Sequence, residues 1–214
     1  MQPFISVTGA AAPLMRRNVD TDVIIRIERL TQIPKGQLGR YAFEALRQHA
    51  DGSPINGFVL NDPCFRDAPI LLADENFGCG SSREGAVWAL QGLGIRCVIA
   101  PSFGDIFIDN CFQNGLLPIR LAREHLMTLA DFCANGARIT VDLRDGVIVV
   151  AGRRIAFTVD PFRRAALLDG LDDIGLTLKD APAIEAWQQA DRAARPWNWL
   201  APAQPLKETT QCPD

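Results

Sequence analysis

Two serines, an arginine and a glutamate follow a double-glycine turn in the run Asn76-Phe77-Gly78-Cys79-Gly80-Ser81-Ser82-Arg83-Glu84. Their chemistry suits a small anion. An arginine grips a carboxylate through two parallel hydrogen bonds. A serine hydroxyl has too high a pKa to be a base in water, so it acts only as an alkoxide, held by backbone N–H groups and a nearby cation. The apolar run Pro69 to Ala73 ahead of the turn reads as a buried strand, and Ala86, Val87, Leu90 and Leu93 behind it share one helical face. A strand, a glycine turn and a helix start would aim unpaired N–H groups and the positive end of a helix dipole at the serines. That arrangement predicts a carboxylate or phosphate site.

Other glycine-turn chemistries fail on particular residues. A dinucleotide fingerprint needs a third glycine where Arg83 stands, a phosphate loop needs a Gly-Lys pair, and a nucleophile elbow needs glycine where Glu84 stands. Ser81 or Ser82 could simply cap the helix, which would leave Arg83 beside the turn unexplained. A second polar cluster, Arg17-Asn18-Val19-Asp20-Thr21-Asp22, runs into the apolar Val23-Ile24-Ile25. Its side chains are either aimed at a site or, as the residues alone favour, folded into an Asx-type turn on nearby N–H groups.

The elements that would position these groups are readable in outline. Phe4 to Leu14 predicts a strand, Arg26 to Thr31 a charged loop, and Pro34-Lys35-Gly36 the start of a helix through Arg47, broken by Asp51-Gly52-Ser53-Pro54. Beyond the central turn come a strand over Arg96 to Ala100, a helix over Asp105 to Gln113 closed by Asn114-Gly115, and a strand over Leu116 to Leu121. Strand alternating with helix from Ile70 to Leu121 implies a parallel sheet with right-handed crossovers. After a helix over Arg123 to Ala134, short alternating runs at Ile139 to Leu143, Val147 to Val150 and Arg154 to Thr158 imply hairpins, and Pro161 to Leu168 and Pro182 to Ala194 imply terminal helices. The fold class is α/β, with a parallel part and a smaller antiparallel part. One domain over 1–195 is expected, with a tail over 196–214 whose Trp197 and Trp199 either stay loose or wrap a partner.

A net charge of -3 with interspersed signs gives no reason to expect nucleic acid or an anionic membrane as partner. No apolar run approaches 18 residues, and Met1 to Leu14 lacks the cationic start of a signal peptide, so a soluble cytoplasmic chain is expected. Cys64, Cys79, Cys97, Cys111, Cys133 and Cys212 are scattered without a paired spacing, and His49 and His125 are the only histidines. Buried reduced thiols are expected and no metal site, so any metal cluster the chemistry needs would sit on another chain.

Asn18 to Asp22, Asn76 to Glu84, and Val98-Ile99-Ala100-Pro101-Ser102-Phe103 with Asn114-Gly115-Leu116-Leu117-Pro118 together resemble the 3-isopropylmalate dehydratase small-subunit family, an aconitase-like swivel domain. The likeness covers most of residues 4 to 195. It implies a swivelling β/β/α fold, a large partner subunit holding a [4Fe–4S] cluster by three cysteines, and a hydroxyl moved between adjacent carbons of a branched hydroxy-diacid in leucine synthesis. It also implies that Ser81 abstracts the carbon-bound proton, that Ser82 and Arg83 hold substrate carboxylate, and that Thr21 and Asp22 line the same site, Asp22 on its catalytic side. The segment Arg29-Leu30-Thr31 would meet the variable substituent, with Arg29 and Thr31 as substrate-binding residues.

Two positions depart from the family pattern. Gly85 stands where histidine is usual, and Arg26 where proline is usual. Substrate preference is therefore expected to be set by the segment near Arg29 and by the space around Gly85. The alternatives are a related hydro-lyase acting on methylmalate or dimethylmalate, or an anion-binding module without catalysis.

Overall fold

The computed structural model describes residues 1–199. The chain divides into two compact units, Met1–Asp173 and a second beginning at Ile174. In the first unit, β1 (Ser6–Leu14), β2 (Ile70–Ala73), β3 (Cys97–Ala100), β4 (Leu117–Arg120), β5 (Arg138–Asp142), β6 (Val147–Val150) and β7 (Arg153–Ala156) form one seven-stranded sheet in the order β4-β3-β2-β1-β5-β6-β7. The pairs from β4 to β1 are parallel and those from β1 to β7 antiparallel. The two parts meet on β1, whose residues 6–10 pair with β5 while residues 11–14 pair with β2.

The sequence explains the division. All four residues of β2, and all four of β3, are buried, as expected of parallel strands covered on both faces. In β5 and β6 burial alternates, so one face packs and the other meets water. Pro118 sits in β4, an edge strand, where a missing N–H on the open side costs no ladder bond.

Period-two alternation sorts the core onto the two faces of the sheet. Leu71, Ala73, Val98 and Ala100 join Ala86, Val87 and Leu90 of α4 (Gly85–Gly92) and Phe107 and Cys111 of α5 (Asp105–Asn114). Ile70, Leu72, Cys97 and Ile99 join Leu126 and Leu129 of α6 (Arg123–Cys133) and Leu167 of α7 (Pro161–Asp169). Cys97, Cys111 and Cys133 are buried free thiols, and burial pushes all three above the usual thiol range.

Between β1 and β2 the structure differs from the sequence pattern. Residues 26–31 do not form a loop. Thr21–Ile24 form a short helix, α1, and Ile27–Gln32 form another, α2. The helix expected from Pro34 to Arg47 is instead a 3-10 turn over Lys35–Tyr41 and a separate α3 over Glu44–Arg47, split at Phe43, whose φ is 56°. Packing overrides propensity here. Gly39 lies against Gly92 of α4 so closely that a Cβ on Gly39 would fall 2.1 Å from the Gly92 carbonyl carbon. The second unit contains α9 (Ala181–Ala194), and between it and α7 in the chain lies α8 (Asp173–Leu178), for which the residue pattern carries no clear signal. Asp191 of α9 is buried, accepts hydrogen bonds from Arg195 Nε at 2.6 Å and Trp199 Nε1 at 3.0 Å, and Arg192 stacks over the Trp199 ring. The rest of the expected tail, 200–214, lies outside the described residues. Among the described residues no helix is long and apolar enough to cross a membrane.

Candidate active site

The glycine turn leaves the end of β2 and is locked from two sides. Gly78 N–H donates to the Val19 carbonyl at 2.7 Å, and Thr21 N–H donates to the Cys79 carbonyl at 2.9 Å. On the other side Phe77 N–H donates to the Ser102 carbonyl at 3.1 Å, and Gly104 N–H to the Phe77 carbonyl at 2.9 Å. The loops after β1, β2 and β3 are thus stitched together beyond the carboxyl ends of neighbouring parallel strands, where α/β sheets place ligands. Asn76 and Asn18 both have left-handed backbones, and Asn76 Nδ2 donates to Asn18 Oδ1 at 2.9 Å. Gly78 is required twice over. Its φ is +72°, and a Cβ there would lie 2.2 Å from the Phe107 ring.

At the base of the turn Asp74 is almost fully buried and meets Arg17 at 3.5 Å and Arg123 at 3.4 Å. Burial alone would raise its pKa. Hydrogen bonds from Arg123 and the Glu75 N–H, with the Arg123 and Arg17 charges, outweigh burial and hold it below the usual carboxylate range. A depressed folded pKa gives stability that is full above the unfolded value of about 3.9 and is lost as pH falls through the folded value. Asp74→Asn is therefore expected to cost about 1–3 kcal/mol in urea unfolding at neutral pH. The difference should shrink as the pH falls below that unfolded value.

The helix start differs from the expectation. α4 begins at Gly85 with Glu84 as its N-cap, and no side chain caps it. Neither serine is a cap. Ser81 and Ser82 lie upstream on the exposed turn, and among the described residues neither hydroxyl has a protein partner. The Ser81 carbonyl accepts from Arg83 N–H at 2.8 Å and from the buried Thr21 hydroxyl at 3.1 Å, which fixes the turn's backbone beneath the side chains. Arg83 is mostly buried and its Nη1 forms an ion pair with the half-exposed Asp22. Cys79, between the glycines, has its thiol pKa raised by burial and by the Asp20 charge, so it stays protonated.

Ser81, Ser82, Arg83, Thr21 and Asp22 are therefore brought together. Asp20 makes the Asx-type turn suggested by the sequence, accepting from Val23 N–H at 2.7 Å as the cap of α1, while Thr21 acts as a strut to the serine turn. The α2 residues are differently placed. Arg29 is not free, because Nε and Nη2 donate to both carboxylate oxygens of Glu44 at 2.9 and 2.5 Å and the guanidinium lies 4.3 Å from the Tyr41 ring centre. Thr31 is exposed and donates to the Glu28 carbonyl at 3.0 Å. The space expected around Gly85 is filled, since a Cβ there would lie 2.3 Å from Leu30 Cδ2.

Asn114 supports the site from α5. It donates to Glu84 Oε1 at 2.7 Å and accepts from Trp88 Nε1 at 3.0 Å. In the sequence, the Asn-Gly pair signals a helix end, and this signal hides the amide's second task. Among the described residues no three His, Cys, Asp or Glu side chains are grouped to hold a metal.

The family model of the aconitase C-terminal domain matches residues 1–124, and that of the C-terminal domain of the 3-isopropylmalate dehydratase small subunit matches residues 173–197. A 3-isopropylmalate dehydratase small subunit from Paramagnetospirillum magneticum is 50% identical over 200 residues, spanning 92% of this chain and 100% of that one. The chain belongs to the 3-isopropylmalate dehydratase small-subunit family. Another member, from a Jannaschia species, is 52% identical over the same coverage. The fold agrees. The crystal structure of a 3-isopropylmalate dehydratase from Methanocaldococcus jannaschii matches with a TM-score of 0.64 at 27% identity, covering 86% of this chain and 99% of that one.

Proposed function

We propose that the chain is the small subunit of a cytoplasmic 3-isopropylmalate dehydratase, which isomerises 2- and 3-isopropylmalate by dehydration and rehydration in leucine biosynthesis. The observation that carries this reading is a pair of serine hydroxyls, without a protein partner among the described residues, beside Arg83 on a turn locked by the loops after β1 and β3. The methylmalate-type and non-catalytic alternatives are not favoured by relatives near 50% identity that bear the isopropylmalate name.

In this reading substrate carboxylate displaces Asp22 from Arg83. The exchange is cheap, because a half-exposed carboxylate is solvated almost as well in water as in the pair. Arg83 and Ser82 then fix the diacid, and Ser81, as an alkoxide, takes the proton from carbon. Backbone N–H groups of the turn and the Arg83 charge hold the alkoxide. Asp22, released beside the site, remains able to accept a proton. Elimination also needs a Lewis acid at the departing hydroxyl. Among the described residues the donor set does not fit an iron–sulfur cluster, because no three thiols or other ligating side chains are grouped and Cys97, Cys111 and Cys133 are buried in the core. A [4Fe–4S] cluster on the large subunit would supply that chemistry.

The test is anaerobic reconstitution with a large subunit. Isopropylmalate turnover should require both chains, and turnover by this chain alone, or none by the pair, would overturn the proposal. In the reconstituted enzyme Arg83→Lys should raise KM roughly tenfold to a hundredfold, the equivalent of about 1.5–3 kcal/mol for a charged hydrogen bond, with a smaller effect on kcat. A point charge keeps the attraction and loses the two-pronged grip.

A further inference from the structure

We propose that α4 is the common mount of the serine turn and of α2, and that Glu44, Tyr41 and Gly85 are positioning residues setting which substituent the enzyme prefers. This rests on the functional reading above and on the family resemblance, which implies that Arg29-Leu30-Thr31 of α2 meets the variable substituent.

Two independent ties connect α2 to α4. The direct one is Leu30 seated on Gly85, in the first turn of the helix that follows Arg83, with no room for a β-carbon between them. The indirect one runs through the 3-10 turn over Lys35–Tyr41. Gly39 and Gly92 bring that turn and the end of α4 into backbone contact, and Lys35 Nζ lies 4.2 Å from the Trp88 ring centre. At the far end of the same turn Tyr41 supports the Arg29 guanidinium, and Glu44 closes on it with two hydrogen bonds. Glu44 is delivered by Phe43, whose side chain is fully buried and whose N–H donates to the Ile24 carbonyl at 2.8 Å.

No residue of α2 is buried in its own right. A six-residue helix is not stable alone, so these ties hold it. A segment so held keeps a fixed distance from the serine turn, because both are referred to the same helix. A Cβ at position 85 would lie 2.3 Å from Leu30 Cδ2, so any larger residue there must shift the Leu30 side chain. That contact couples residue 85 to the placement of α2.

The experiment uses the chain reconstituted with its large partner, carrying Glu44→Gln or, separately, Gly85→Ala. It measures kcat and KM for isopropylmalate and for methylmalate, with thermal melts to confirm folding. An apolar site discriminates by about 1–3 kcal/mol per methylene, so loosening α2 should lower the isopropyl-to-methyl ratio of kcat/KM by about tenfold. The loss should appear mainly in KM for isopropylmalate, with kcat for methylmalate within about twofold of the parent. A folded variant with an unchanged ratio, or with both substrates slowed equally, would overturn the proposal. If Gly85→Ala does not fold, Glu44→Gln alone decides. If the parent enzyme turns over neither diacid, the functional reading fails and this one with it, whereas a parent active on isopropylmalate with an unmoved ratio sinks only this one.

Discussion

Ser81→Ala is expected to lower kcat of the reconstituted enzyme by about 10²–10⁴-fold, the range over which a positioned acid or base accelerates proton transfer. Stability should hardly change. The hydroxyl is exposed and has no protein partner among the described residues, so its loss leaves no orphaned group. The struts beneath it, from Thr21 and Arg83 to the Ser81 carbonyl, use backbone atoms that alanine retains. KM should stay near the parent value, since Arg83 still binds carboxylate. Ser82→Ala gives the contrast, raising KM more than it lowers kcat. Turnover by Ser81→Ala within a few fold of the parent would remove serine from the proton step.

Gly39→Ala is expected to be the most destabilising single-methyl change in the first unit, by at least about 3 kcal/mol. Its Cβ would lie 2.1 Å from the carbonyl carbon of Gly92 and 2.2 Å from the oxygen. Those atoms belong to α4, whose neighbouring residues Ala89 and Leu90 are buried against the sheet. No rotamer relieves the clash, and the 3-10 turn must lift away and take the Lys35–Trp88 and Arg29–Tyr41 contacts with it. Denaturant unfolding followed by circular dichroism measures the loss. Gly36, where a Cβ would meet nothing within 4 Å, is the control at which alanine should be tolerated.

Much of this molecule is legible in its residues, for reasons that differ by region. The parallel strands are short runs of Ile, Leu, Val and Ala closed by glycine turns, a pattern whose burial on both faces leaves few alternatives. The hairpin strands β5 and β6 alternate cleanly, and the turns around them are punctuated by Gly146 and Gly152, both at positive φ. Residues 26–47 mislead because their conformation is decided at a distance. Arg29 reads as free for substrate until Glu44, fifteen positions away, is folded onto it, and Gly85 reads as an opening until Leu30 fills it. Glycines at 36 and 39 argue against a regular helix, but only the contact with Gly92 says where the chain must go instead. The structure brings Ser81 to Arg83 together with Thr21 and Asp22, yet no spacing rule separates a strut such as Thr21 from a group that meets solvent.

The divided pairing of β1 constrains the order in which the polypeptide assembles. Residues 11–14 find their partners at 70–73, whereas residues 6–10 must wait for 138–142. During synthesis the first half of the strand leaves the ribosome long before the segment that completes it. Pairing across so long a separation carries a large loop-closure entropy and slows folding. The parallel half, with β2, β3 and β4 contiguous in order, can form first and leave residues 6–10 as an unsatisfied edge. Until β5 docks, that edge is the place where a nascent chain of this protein is most open to capture by a chaperone or by another unfinished copy.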